Sequence, residues 1–166
     1  MADLNIIERS RLGLATVMVR HGVDAEAVGR ALGIDMPTGP TLAGGGGFRL
    51  LGYGPGVWLV MADAPTEAWC DLLATSLQDK ASVSDQSSAY VVFEVKGAHA
   101  RELLQRGAFI DLDTDVFGPG GAAVTVIAHI GVILWRPLVG DGFEVACFRS
   151  YADSFRDWLD AAAASL

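Results

Sequence analysis

The chain has 166 residues, of which 51% are apolar and only 19% charged. That is enough length to bury a core without disulfide or metal staples, but fewer charges than the roughly 25% of an ordinary soluble domain. A net charge of −8 and a pI near 4.7 argue against a nucleic-acid backbone or an anionic membrane surface as partner. With a mean hydropathy of +0.35, either the core is unusually large or some apolar surface meets a partner, and the second reading is the one favoured here.

The longest apolar run, Gly121 to Trp135, is interrupted by Thr125 and His129. It is shorter than the ~20 residues of a spanning helix, and its β-branched content favours strands. Asp3, Glu8, Arg9 and Arg11 precede any apolar run, unlike a secretory signal, so a cytoplasmic location is expected. Cys70 and Cys147 show no metal-type spacing; they are read as reduced core thiols, with a disulfide left open.

In chain order, residues 12–20 read as a strand apolar on both faces. Asp24 suits the cap of a helix carrying Val28 and Leu32, which Gly33 ends. Residues 34–47, rich in proline and glycine, read as loop. Residues 48–53 and 57–62 form a hairpin around Gly-Pro-Gly. Pro65 suits the first turn of a helix whose stripe is Trp69, Leu72, Leu73, Ser76 and Leu77. Strands follow near 81–84 and at 89–95, then a short helix with Ala100, Leu103 and Leu104 inward, bounded by Gly97 and Gly107. Two strands, 122–128 and 130–136, are expected with a bulge or bend at Gly131. A strand at 143–148 leads to a helix capped by Ser150, with Tyr151, Phe155, Trp158, Leu159 and Ala162 on one face.

Sliding the sequence by 86 residues lays Gly56 on Gly142, Trp69 on Phe155, Asp71 on Asp157, Leu73 on Leu159 and Glu67 on Asp153. Each segment reads as tight turn, apolar strand and capped helix. The expected fold class is therefore α+β, with two β-rich α/β-type half units of antiparallel sheet and packed helices. The chain is read as a single domain, 1–166, or as two fused halves, about 1–87 and 88–166.

Reactive constellations are absent from this pattern. His21, His99 and His129 have no second ligand at metal spacing. His129 stands out because it interrupts an apolar strand, and its plain reading is a solvent-facing, partner-facing or hydrogen-bonded imidazole. Gly44–Gly47 lacks the Lys-Ser/Thr and helix of a phosphate loop, and Gly52–Gly56 lacks the helix a dinucleotide site needs. Asp111, Asp113 and Asp115 lack the glycine and distal glutamate of a calcium loop. The serines at 82–88 have no partnered base. Trp69 and Trp158 read as core, whereas Trp135 suits core or partner contact equally. No catalytic, cofactor-binding or metal-binding residue is assigned.

The order of these segments resembles the gamma subunit of heterotetrameric sarcosine oxidase. The resemblance rests on Gly97, Ala100, Arg101, Leu103, Leu104, Asp111 and Leu112, then on Thr125, Ala128, His129, Leu134 and Trp135. It closes on Arg149, Ser150, Ser154, Phe155, Trp158 and Leu159. It covers roughly residues 48–164. It implies a non-catalytic structural subunit beside alpha, beta and delta chains in an assembly that oxidatively demethylates sarcosine to glycine with tetrahydrofolate and oxygen. FAD, FMN, NAD, zinc and tetrahydrofolate are implied for the whole complex and none for this chain. The implied fold is similar to the aminomethyltransferase folate-binding domain, which does not by itself supply a folate site. Two alternatives accompany it: a small subunit of N-methylglutamate dehydrogenase, and a free-standing folate-binding protein of the aminomethyltransferase type.

Overall fold

A computed structural model describes residues 3–166. In chain order its elements are β1 (Asn5–Glu8), β2 (Leu12–Val19), α1 (Ala25–Leu32), β3 (Leu42–Gly45), β4 (Phe48–Gly54), β5 (Val57–Asp63), α2 (Trp69–Ser76) and β6 (Ala81–Asp85). Then come β7 (Tyr90–Lys96), α3 (Ala100–Gln105), β8 (Ala122–Ile127), β9 (Ile130–Trp135), β10 (Phe143–Phe148), a 3-10 turn (Arg149–Tyr151) and α4 (Ala152–Ala163). The chain divides into two compact units, Ser10–Ser88, and the segment ending at Arg9 joined to Ala89–Leu166.

In Ser10–Ser88 five antiparallel strands lie in the order β3-β4-β5-β2-β6. Strand alternation sends Ala15, Val17, Leu50, Trp58 and Val60 to one face, where they pack with Val28 and Leu32 of α1 and Leu73 and Leu77 beside α2. The left-handed Gly33 (φ 68°) ends α1, its N–H donating to the Gly29 carbonyl. Within the proline- and glycine-rich stretch 34–47 the chain forms β3, pairing Leu42 with Leu51, so that stretch is not loop throughout. Trp58 Nε1 donates to the Pro37 carbonyl at 2.9 Å and pins the preceding loop. At Gly52 an added Cβ would meet the Gly39 carbonyl oxygen at 1.9 Å, so backbone passes where no side chain fits.

The second unit has the strand order β1-β7-β10-β9-β8, again wholly antiparallel. Val91, Phe93, Val95, Phe143, Val145 and Cys147 face α3 and α4, meeting Leu103, Leu104, Phe155 and Leu159. The two units share one plan. Reading β7-α3-β8-β9-β10-α4 against β2-α1-β3-β4-β5-α2 matches every position in the sheet order. The 86-residue echo is the superposition of β5 with β10 and of α2 with α4; Leu73 and Leu159 are both buried, and Gly56 and Gly142 both have positive φ. The strand that follows α2, β6, has its counterpart in β1, which comes from the opposite end of the chain.

β1 is tied to this sheet by charge as well as by pairing. Glu94 and Glu144 sit opposite each other across β7 and β10, a like-charge pair that destabilises a sheet when left uncompensated. The Arg9 guanidinium lies 3.2 Å from Glu144 and 3.7 Å from Glu94, and Lys96 Nζ lies 3.0 Å from Glu94. Glu144 is the only buried charged residue among the described ones, and Arg9 follows β1 directly.

Four local expectations differ from the structure. α2 starts at Trp69, and Leu72 is exposed, because a turn at 66–69 rather than Pro65 begins the helical segment. Ser150 lies inside the 3-10 turn, so α4 opens at Ala152 behind Tyr151 without a side-chain cap, and Tyr151 is exposed. Asp24 has extended cap geometry but its side chain makes no capping bond. Gly131 pairs regularly with Val126; the reversal between β8 and β9 is made by Ala128 and His129, at φ 50° and 65°.

Two outcomes follow from the packing. Phe155→Asp places a charge among fully buried side chains and is expected to cost about 4 kcal/mol or more, read as a lowered thermal midpoint; an unchanged melting curve contradicts the assigned helix face. The buried Cys147 thiol is pushed up from 9.0 to about 11, mainly by burial, with a backbone hydrogen bond pulling it back and the Glu8 carboxylate raising it further. The unfolded thiol ionises above 9.0 and the folded one only above about 11, so this group erodes stability as pH rises through that interval. Denaturant midpoints measured across it should fall more steeply for the natural chain than for Cys147→Ala.

Candidate functional site

The residues whose chemistry drew notice in the sequence are mostly engaged in holding the fold. Ser87 Oγ accepts from the Leu14 N–H at 3.0 Å and lies 3.3 Å from the Leu14 carbonyl, bracing the edge of β2. Asp111 Oδ1 accepts from the Asp113 N–H at 2.8 Å and Asp113 Oδ1 from the Asp115 N–H at 3.1 Å, so the alternating acids build consecutive Asx turns. Arg101 neutralises Asp113 at 3.2 Å. Gly46 and Gly47, both at positive φ, form the β3–β4 turn. Gly52 and Gly54 flank a register shift between β4 and β5.

The histidines are dispersed. His21 is exposed in a turn; His99 precedes α3, its Nδ1 3.1 Å from Glu102 Oε2; His129 is exposed at the tip of the β8–β9 reversal. Among the described residues no three His, Cys, Asp or Glu side chains converge as metal ligands. Both cysteines are free, and burial raises the pKa of each thiol, with Asp85 and Asp71 adding to the rise at Cys70. These surroundings oppose formation of a nucleophilic thiolate. Trp135 is fully buried, which settles it as core, and its Nε1 has no hydrogen-bond partner.

Among the described residues, clefts open on each unit. One of about 840 Å³ lies between α1 and β3, rimmed by Glu26, Arg30 and Asp35, with Arg30 paired to Glu26. A second, about 670 Å³, is lined by Lys96, Arg101, Arg136, Asp141 and Phe143. Its cations serve the fold: Arg136 donates to the Phe117 carbonyl and stacks 5.4 Å above the Phe143 ring, and Lys96 pairs with Glu94. The third, about 300 Å³, is the least polar, formed where residues 106–109 meet the Ala128–His129 turn and Trp158. Phe109 is 71% exposed there, its ring edge-on to His129 at 6.2 Å. The sequence marks His129 but not Phe109, since a phenylalanine in a short loop gives no periodic signal of where it points.

Among the described residues no helix is long and apolar enough to cross a membrane. Comparison with known proteins gives a consistent result. The curated gamma subunit of sarcosine oxidase from Corynebacterium sp. (strain P-1) is 32% identical over 112 residues, covering 68% of this chain and 54% of that protein. The corresponding subunit from Corynebacterium sp. (strain U-96) is 30% identical over 128 residues, covering 76% and 62%. This chain thus spans between half and two-thirds of the length of those curated relatives. Among solved structures, a chain of heterotetrameric sarcosine oxidase from Corynebacterium sp. U-96 in complex with pyrrole 2-carboxylate superposes with a TM-score of 0.87 at 25% identity, over 98% of this chain and 84% of that one. Aminomethyltransferase T of the glycine cleavage system from Bartonella henselae superposes with a TM-score of 0.67 at 14% identity, over 95% and 45%, a likeness of fold. The profile of the sarcosine oxidase, gamma subunit family matches residues 20–165, nearly the whole chain, and this protein belongs to that family.

Proposed function

We propose that this chain is the non-catalytic gamma subunit of a heterotetrameric sarcosine oxidase, assembled in the cytoplasm with alpha, beta and delta subunits. In that reading the complex demethylates sarcosine oxidatively to glycine with tetrahydrofolate and oxygen, and FAD, FMN, NAD and zinc reside in the larger assembly. The observation that carries the reading is the superposition over 84% of a chain of heterotetrameric sarcosine oxidase, joined to the family match. The side chains of this protein agree with a supporting role. Ser87, Asp111, Asp113 and Cys147 serve strand, turn and core, and Arg30, Lys96, Arg101 and Arg136 at the two larger clefts are paired within the fold. The aminomethyltransferase likeness concerns backbone arrangement at 14% identity and brings no folate-contacting residue with it.

Affinity purification of the tagged full-length chain from its own cells at mild salt is expected to recover larger polypeptides together with flavin absorbance and sarcosine-dependent peroxide formation. The purified chain alone is expected to show neither turnover nor saturable tetrahydrofolate binding. Recovery of this chain without coloured partners, or turnover by the lone chain, defeats the subunit reading.

A further inference from the structure

We propose that β1 is a strap on the second unit, held by the charge of Arg9 more than by apolar burial, which opens as one piece while β7, β10, β9 and β8 stay paired. Little apolar surface holds this strand. Of Asn5–Glu8 only Ile6 is half-buried, and Ile7 is 44% exposed. Leu4, just before the strand, is the other apolar side chain of this segment that packs against the core. Segments with few buried apolar contacts open at the low end of a fold's range of local stability.

Backbone pairing and one guanidinium make up the hold. The Arg9 N–H donates to the Val92 carbonyl at 2.8 Å, and antiparallel alternation makes Ile7 and Glu94 the next hydrogen-bonded pair. The Arg9 guanidinium reaches across β7 to Glu144 on β10 at 3.2 Å, with Glu94 at 3.7 Å. Glu144 is 3% exposed, and taking the partner from a buried charge costs far more than breaking a surface ion pair. Lys96, 3.0 Å from Glu94, belongs to β7 itself and stays with that carboxylate when β1 leaves. Arg9 is therefore the catch on which the strap closes.

The connectivity supplies a pivot. Ser10 and Arg11 alone separate Arg9 from β2, and Arg9 ends one compact unit where Ser10 begins the other. The Arg11 carbonyl accepts from the Ala64 N–H at 2.8 Å, so the start of β2 is fastened to the end of β5 right up to the link. β1 lies at the margin of its sheet with a strand on one side only, so it can leave without unpairing any other two strands. Its departure uncovers the outer edge of β7, a row of backbone groups able to pair with another strand.

Native-state hydrogen exchange of the purified full-length chain tests the strap. The amides of residues 7, 9 and 94 should exchange together, with protection about tenfold or more below that of β9. Leu134→Ala leaves a cavity in the core behind β9; it should speed β9 exchange by about tenfold or more and leave those three amides unchanged. Arg9→Gln should speed the three by about tenfold or more, and Arg9→Lys, which keeps the charge, by less. Ile6→Ala should also speed them less than Arg9→Gln does. If the three amides accelerate in step with β9 in Leu134→Ala, β1 opens only with the whole unit and the strap is overturned. A larger effect from Ile6→Ala than from Arg9→Gln overturns charge as the hold.

Discussion

The second sheet depends on a strand that the chain supplies from far away in sequence. β7, β10, β9 and β8 all lie beyond Tyr90, and the place next to β7 is filled by Asn5–Glu8. Without β1, the outer edge of β7 would present unpaired backbone groups, a template for unwanted pairing. Pairing alone does not specify so short a strand. The buried Glu144 and its neighbour Glu94 need a cation, and Arg9, directly after β1, provides it at 3.2 Å and 3.7 Å. Register, edge protection and charge compensation thus converge on one short segment.

The same sheets account for the unusual apolar content. A sheet covered on one face alternates apolar and polar residues, whereas one buried on both faces needs consecutive apolar positions. In β5, Trp58 through Ala62 are buried without interruption, and in β10 Phe143 through Cys147 are too. Leu14, Leu51, Leu59 and Met61 in one unit, and Val92, Ile133, Trp135 and Ala146 in the other, occupy the face opposite the helices and are buried as well. Much of the apolar composition therefore lies at buried strand positions. What remains outside is scattered, with Phe109, Leu72, Val116 and Val139 in separate places along the chain.

This explains what could be read from the sequence and what could not. Strands with continuous apolar runs and helices with a clear stripe, such as Phe155 and Leu159, were legible because periodicity reports local geometry. The 86-residue echo gave the common plan of the two units, because turn, strand and helix recur in both. The counterpart of β6 was not legible, since pairing between Asn5–Glu8 and β7 is long-range and leaves no local mark. Trp135 stayed ambiguous for a related reason: alternation says which face a residue takes, not what covers that face. A bulge or bend is expected at Gly131 because glycine is the usual signal, whereas the chain turns at Ala128 and His129 instead.

When reactive side chains are spent on internal structure, as Ser87, Asp111, Asp113 and Cys147 are, selection acts on shape and presentation. The fold is shared with an aminomethyltransferase as a backbone arrangement, and that likeness carries no site with it. Glycine is the easiest local solution at a left-handed position, yet Arg11 and Ala64 as well as Ala128 and His129 take positive φ without it. His129 departs from that solution beside an exposed phenylalanine, on a floor too tight for a side chain at Gly107. At the larger clefts Arg30 pairs with Glu26 and Arg136 donates to the Phe117 carbonyl.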